Sequence, residues 1–361
     1  MREKTIKAVL NKKFNDFLDS IEDINTRNLV KKNSIITGGA LTSMLLNEEV
    51  NDYDIYFTNK ETVKAVCEYY CKKFNEAHLG MVNKLGIGVK AWVLDGSDVD
   101  AWKNGKKPLT SFADGYKTDI TYQETDADGR ILVSRMISNT TPERIKIMIN
   151  SDGVAEDEEH EDQEVSDFIA MDEPELLGEM DEIPNTVLNS LDSELETKTE
   201  KGKYRPIFLT TNAITLSNKV QLITRFYGEP DKIHENFDFI HCQCYWTSGN
   251  NNLVLTKEAL ESILNKQLIY NGSKYPFCSI VRTRKFIKRG WNIDAGQYLK
   301  MSFQLSELDL SDVDVLEDQL VGVDTLYFKG VIQALQKMKD KNSDFRLTNS
   351  YVTTIVDKVF N

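Results

Sequence analysis

No stretch of this 361-residue chain holds the roughly 18 consecutive apolar residues that a membrane-spanning helix requires, so no membrane partner is expected. The opening run MREKTIKAVLNKKF has charges but lacks the apolar core of a secretory signal, which predicts a cytoplasmic protein. Cysteine is sparse and odd in number. Cys67, Cys71, Cys242, Cys244 and Cys278 show no disulfide-scaffold pattern, and they fit reduced thiols. His241, Cys242 and Cys244 find no second cysteine or histidine pair at zinc-site spacing. Only four histidines occur, and His234 reads as a capping or surface residue rather than a catalytic base. Positive charge is also short, with a formal net charge of −13. Spread evenly, that would argue against a nucleic-acid partner. It is concentrated instead: residues 152–200 hold 19 of the 57 acids and a single basic residue, Lys198. The remainder has 43 basic and 38 acidic residues, a balance compatible with a polyanionic substrate.

The chemistry-bearing stretch is Ser34–Asn59, SIITGGALTSMLLNEEVNDYDIYFTN. Ile35 and Ile36 end a short apolar strand, and Gly38-Gly39 lets the backbone turn tightly before a helix over 40–46. Ser43 is expected in that helix's first turn, where backbone N–H groups and the helix dipole converge on an anion such as phosphate. Asp52-Tyr53-Asp54-Ile55-Tyr56-Phe57 then alternates as a strand, which puts Asp52 and Asp54 on one face. Two such carboxylates, about 6 to 7 Å apart along a strand, can share divalent ions.

Gly38-Gly39, Ser43 and Asp52-Tyr53-Asp54-Ile55 resemble the signature of the DNA polymerase beta-like nucleotidyltransferase superfamily, similar to RNA nucleotidyltransferases of the poly(A) polymerase and tRNA CCA-adding type. The resemblance implies an α+β fold in which a nucleotidyltransferase palm, a mixed sheet with flanking helices, carries a long insertion and is followed by a mainly helical C-terminal domain. On this chain the palm would occupy 1–79 and 204–249, the insertion 80–203, and the helical domain 250–361. The superfamily also needs a third acid on a neighbouring strand. Asp238, in the apolar run 237–242, is assigned to it, 184 positions after Asp54. Asp119 is the reserve candidate.

Elsewhere the periodicity predicts helices over 4–32 and 60–77, strands near 117–123, 130–136 and 144–150, strands at 206–209, 220–227 and 237–242, one helical turn at 232–236, and a helix over 257–268. Leu85-Gly-Ile-Gly-Val-Lys90 lacks the third glycine of a nucleotide fingerprint and reads as a loop or bulged strand. Residues 152–200 read as disordered or loosely attached, with a nucleic-acid mimic as the functional alternative. Arg282, Arg284, Lys285, Lys288 and Arg289, with Phe286 and Trp291, form the densest basic cluster. As a helix it could meet a phosphate backbone or an incoming triphosphate, anchored by Ile280, Phe286 and Ile287, or it could be a solvated face. Val331, Ile332, Leu335 and Met338 continue at helical spacing.

Taken with the resemblance, these residues lead us to expect a template-independent enzyme that moves a nucleoside monophosphate from an NTP, ATP foremost, to a hydroxyl, with an RNA 3′ end as acceptor. Asp52, Asp54 and Asp238 would hold two Mg²⁺ or Mn²⁺ ions, and Gly38, Gly39 and Ser43 the β- and γ-phosphates. Asp238 would double as general base. Two other readings stand beside it: AMP transfer to a protein or small molecule, and a catalytically silent nucleotide sensor or interaction module.

Overall fold

The computed structural model describes residues 1–77, 90–97, 111–112, 120–125, 131–137, 143–150, 203–210, 212–310, 315 and 319. The helix expected over 4–32 is two helices, α1 (Glu3–Asp19) and α2 (Ile24–Asn33). The break follows from Asp23, whose carboxylate accepts the Thr26 N–H at 2.6 Å and starts a new helix instead of continuing the old one. Next come β1 (Ser34–Thr37), α3 (Gly39–Leu46), β2 (Tyr53–Phe57) and α4 (Lys60–Ala77), all at the expected places.

Five strands follow: β3 (Lys90–Asp95), β4 (Ser111–Phe112), β5 (Ile120–Thr125), β6 (Ile131–Ile137) and β7 (Ile145–Asn150). The last three match the predicted strands. β3 and β7 pair with each other, and β4–β6 form a separate antiparallel ladder. The chain then runs through β8 (Pro206–Leu209), β9 (Ala213–Leu216), β10 (Val220–Tyr227), α5 (Pro230–His234), a 3-10 turn (Ile240–Cys242), β11 (Tyr245–Thr247) and β12 (Asn252–Val254). It ends its described course in α6 (Lys257–Asn265), α7 (Pro276–Lys288) and α8 (Ala295–Leu305), a helical C-terminal region. Residues 252–254 belong to the main sheet, and the first helix of that region starts at Lys257. The acidic segment, Asp119, the Gly-x-Gly stretch before Lys90 and the helical spacing around Val331 lie outside the described residues.

The main sheet is mixed, in the order β12-β11-β1-β2-β10-β9-β8. β1 is antiparallel to β2 and β11, whereas β2 and β10 are parallel. Cross-strand partners share a face, and here the two faces differ in kind. Ile36, Ile55 and Leu222 sit opposite one another and join the large core made with Phe14 and Phe17 of α1 and Val66 and Phe74 of α4. The alternate residues Ile35 and Tyr56 pack with Ile233 of α5 in a small second cluster. That leaves room on the second face for polar side chains. β9 and β10 are joined by the three residues Ser217, Asn218 and Lys219, of which Asn218 and Lys219 are at positive φ.

Residues between α4 and β8 pack against the body of the protein. Ala91, Ile145 and Ile147 enter the large core, and the Asn75 amide pairs with both backbone groups of Ala91 at 2.7 and 2.9 Å. Asp95 of β3 is ion-paired to Lys60 at 2.6 Å and Lys64 at 3.2 Å on α4. Burial pushes its carboxyl up, but hydrogen bonds from Lys60, the Ser97 N–H and Lys64 outweigh it and hold it at about 2. A depressed carboxyl contributes stability above its unfolded value near 3.8, and that contribution fades as pH falls toward 2. Because the two lysines are 28% and 39% exposed, the effect is discounted to about 1 kcal/mol. Asp95→Asn should therefore lose about 1 kcal/mol at pH 7 in urea melts and nothing at pH 2; an equal loss at both pH values would refute the ion-pair account.

Candidate active site

Gly38 makes the corner between β1 and α3 at φ +85°, ψ −146°, a conformation open essentially to glycine. Its N–H donates to the Cys242 carbonyl at 3.1 Å. Thr42 Oγ1 donates to the His241 carbonyl at 2.9 Å, and Thr37 Oγ1 reaches the Cys244 carbonyl at 2.9 Å. Gly39 is exposed, and a Cβ added there would meet nothing within 4 Å. The first turn of α3 has no side-chain cap.

Asp54 lies opposite Thr37 of β1 and Gln221 of β10, on the second face of the sheet. Its Oδ2 is 3.3 Å from where a Gly38 Cβ would stand, so the turn and the acid adjoin. Asp52 precedes β2 by one residue. Asp52 is exposed and Asp54 half-buried. Although Asp52 is open to solvent on one side, desolvation by the protein around it pushes its carboxyl up, against the pull of Lys285, its own N–H, Arg289 and Lys219. Burial, and then the Asp52 charge, pushes Asp54 well above the usual carboxylate range, with Lys285 opposing. Asp52 keeps an open edge to solvent, so Asp54 is the carboxyl that crowding governs most. Two like charges held side by side are a donor set that suits a hard divalent cation.

Two expectations are corrected. Ser43 is the fifth residue of α3, one turn below the N–H groups of its first turn, and its hydroxyl accepts from Arg289 at 3.4 Å. The helix starts one residue earlier than the glycine pair suggested, and Ser43 is buried. The run 237–242 is not a strand. Asp238 occupies a bend before a one-residue bridge, Phe239 to Tyr270, and the chain then enters the 3-10 turn. Where the chain bends, Phe239 and His241 pack against Phe286, and His241 also packs against Trp291. Asp238 is buried and ion-paired to Arg282. The strands beside β2 are β1 and β10, which place Thr37 and Gln221 opposite Asp54 and contain no acid. Among the described residues no three metal-binding side chains converge. The acid pair fits one shared cation, and Asp238 fits a second only if Arg282 releases it.

The basic cluster is helical, as expected, and its face is informative. Arg282, Lys285 and Arg289 recur at the three- and four-residue spacing of one helix face. That face looks onto the site: Arg282 meets Asp238, Lys285 is felt by both Asp52 and Asp54, and Arg289 meets Ser43 and Glu48. Lys288 lies about 60° and Arg284 about 100° round the helix from Lys285. Ile280 and Phe286 pack inward, but Ile287 is 48% exposed and anchors nothing among the described residues. Beyond α7, Gly290 at φ +79° lets the Trp291 N–H return to the Phe286 carbonyl, which seats Trp291 against His241.

Sequence reasoning missed Glu48. It accepts Lys266 at 2.9 Å and Arg289 at 3.0 Å, while Glu49 accepts Lys219 at 2.8 Å. The loop that delivers Asp52 is therefore held by three cations from distant parts of the chain. The adjacent acids Glu48-Glu49 just ahead of the aspartates were a visible signal of charge, but not of partners. His234 is buried, not at the surface, with its Nε2 2.9 Å from Thr37 Oγ1. Since the Thr37 proton goes to a backbone carbonyl, Nε2 carries the hydrogen in this assignment. Burial holds His234 at about 4, and burial with Arg289 holds His241 at about 3, so both are neutral at pH 7.

Gly38→Ala should destabilise the protein by about 1 to 3 kcal/mol, because a side chain at this φ is strained and its Cβ presses on Asp54. Gly39→Ala, with open space around it, should cost far less; equal midpoint shifts in chemical denaturation would contradict this.

No curated protein and no solved structure matches the chain. A family model described as "Gabija anti-defense 2 family protein" matches residues 8–266, which include Gly38, Asp52, Asp54 and Asp238 and stop before α7. With well over half of its length matched, the chain belongs to the Gabija anti-defense 2 (Gad2) family.

Proposed function

We propose that the protein is a metal-dependent nucleotidyltransferase, with the sheet around β2 as a polymerase beta-like palm. The observation that carries this reading is the junction of Asp52 and Asp54 with the uncapped α3 N-terminus, beneath three cationic side chains of α7. Asp52 and Asp54 would hold Mg²⁺ or Mn²⁺, which when bound supplies charge neutralisation at the triphosphate and lowers the acceptor hydroxyl's pKa. The first-turn N–H groups at Gly39 and Ala40 receive phosphate oxygens, and Lys285 and Arg289 balance the remaining phosphate charge. The acceptor oxygen attacks the α-phosphorus, the bond from that phosphorus to the bridging oxygen breaks, pyrophosphate leaves with the electron pair, and the hydroxyl proton passes to water. Positioning and charge carry such a transfer, and little covalent chemistry falls to the protein.

An RNA 3′ end is the acceptor that the superfamily resemblance favours. A second reading, nucleotidylation of a protein hydroxyl, gains from the direction in which α7 points its charge. Arg282 is paired with Asp238, Arg289 with Glu48, and the Lys285 charge is felt by Asp52 and Asp54, so three of the five cations are directed into the site and not outward toward a nucleic-acid backbone. The family's name speaks of anti-defense, and nucleotidylation of a Gabija component is one way in which a transferase would serve that end.

Purified protein incubated with Mn²⁺, each labelled NTP, and RNA, DNA or protein pools should transfer label, and Asp52→Ala with Asp54→Ala should reduce transfer by at least ~100-fold. No difference between wild type and the double variant on any acceptor would sink the enzyme reading. Nucleotide binding without turnover would favour a silent sensor instead.

A further inference from the structure

The cations around the acid pair are not equivalent. Arg282 is committed to Asp238, Arg289 to Glu48, Lys219 to Glu49 and Lys266 to Glu48. Lys285 stands between Arg282 and Arg289 on the same face of α7, is exposed, and makes no contact ion pair among the described residues. Its neighbours on that face reach Asp238 on one side and Ser43 and Glu48 on the other, which places Lys285 on the helix face between those contacts. The Asp52 and Asp54 carboxyls both register its charge. A lysine is a flexible point charge on a four-carbon stem, and it can change partners without moving the helix.

We propose, building on the nucleotidyltransferase reading, that Lys285 is an exchangeable counter-ion: it neutralises Asp52 and Asp54 in the empty site and transfers to the β- and γ-phosphates when a polyphosphate arrives. A divalent ion and the Lys285 ammonium compete for the same two carboxylates, so Lys285 weakens metal binding to the empty site. A polyphosphate and those carboxylates compete for the same ammonium, so the acids weaken polyphosphate binding without metal. Each ligand removes the obstacle to the other, and the coupling is reciprocal. The site would therefore select a metal–polyphosphate pair over either component. Arg282 and Arg289 could not serve this way cheaply, because each would have to break a contact ion pair, with the buried Asp238 and with Glu48 respectively.

The test separates the two half-reactions. Mn²⁺ alone is titrated by electron paramagnetic resonance without phosphate, and inorganic tripolyphosphate alone by calorimetry in chelator. Lys285→Met, an exposed substitution that should leave folding intact, is expected to tighten Mn²⁺ binding and weaken tripolyphosphate binding, each by about fivefold or more. Asp54→Asn should do the reverse, losing Mn²⁺ and binding tripolyphosphate more tightly. Lys72→Met, 77% exposed on the far side of the sheet, should change neither. Shifts of the same sign for both ligands in Lys285→Met, or no shift, overturn the exchange. If wild type still transfers label in that case, the nucleotidyltransferase reading stands and only the exchange falls. If wild type binds neither Mn²⁺ nor tripolyphosphate nor nucleotide and transfers no label, both fall.

Discussion

The hydrogen bond from the Gly38 N–H to the Cys242 carbonyl joins segments 204 positions apart, and the site is assembled around it. A buried N–H must find a partner, and at positive φ the Gly38 N–H points away from β1's own ladder. With the Thr37 and Thr42 bonds to the same turn, it fixes the entrance of α3 against residues 241–244. That turn in turn seats Phe286 and Trp291, and so brings α7 over the sheet. Remove the corner and the glycine turn, the acids and the basic helix lose their common reference.

Charge balance is the second organising principle. Two carboxylates crowded at the start of a central strand repel each other, and Asp54 is the one whose carboxyl is pushed up most. The fold answers with cations from β10's hairpin, from the residue after α6 and from α7, most of which are stabilised by acids of their own. Glu48 links two of these cations and so ties the loop before Asp52 to the helical C-terminal region. Such a network has little net stabilising effect where it is exposed, but it fixes where each charge points. For a site that handles phosphate, direction matters more than the ledger of stability.

What was legible in the sequence was what neighbours in the chain decide. The glycine pair, the α3 helix, the alternation at Asp52–Phe57 and the helix over 60–77 all follow from local periodicity and turn chemistry, and all are present. β9 was missed because the connection after it, Ser217-Asn218-Lys219, contains no glycine to mark its positive-φ positions. β11 and β12 were missed because three-residue strands carry too little alternation to read. Asp238 was misplaced for a different reason: aromatic residues favour strands on average, yet here Phe239 and His241 were claimed by stacking against α7. The partners of Glu48 lie 218 and 241 positions away, beyond any local pattern.

The parallel neighbours β2 and β10 have a consequence for how this protein is made. Val220 pairs beside Tyr53, so the central ladder cannot close until 167 further residues have been added to the growing chain. Arg289, the last of the cations facing the acids, is synthesised later still. A nascent chain thus carries its paired aspartates exposed and uncompensated through most of translation, and pairing at such separation is slow to form. The charge of the half-made site keeps that edge of β2 in water while it waits, so the same repulsion that must be balanced in the finished fold protects an open strand edge during synthesis.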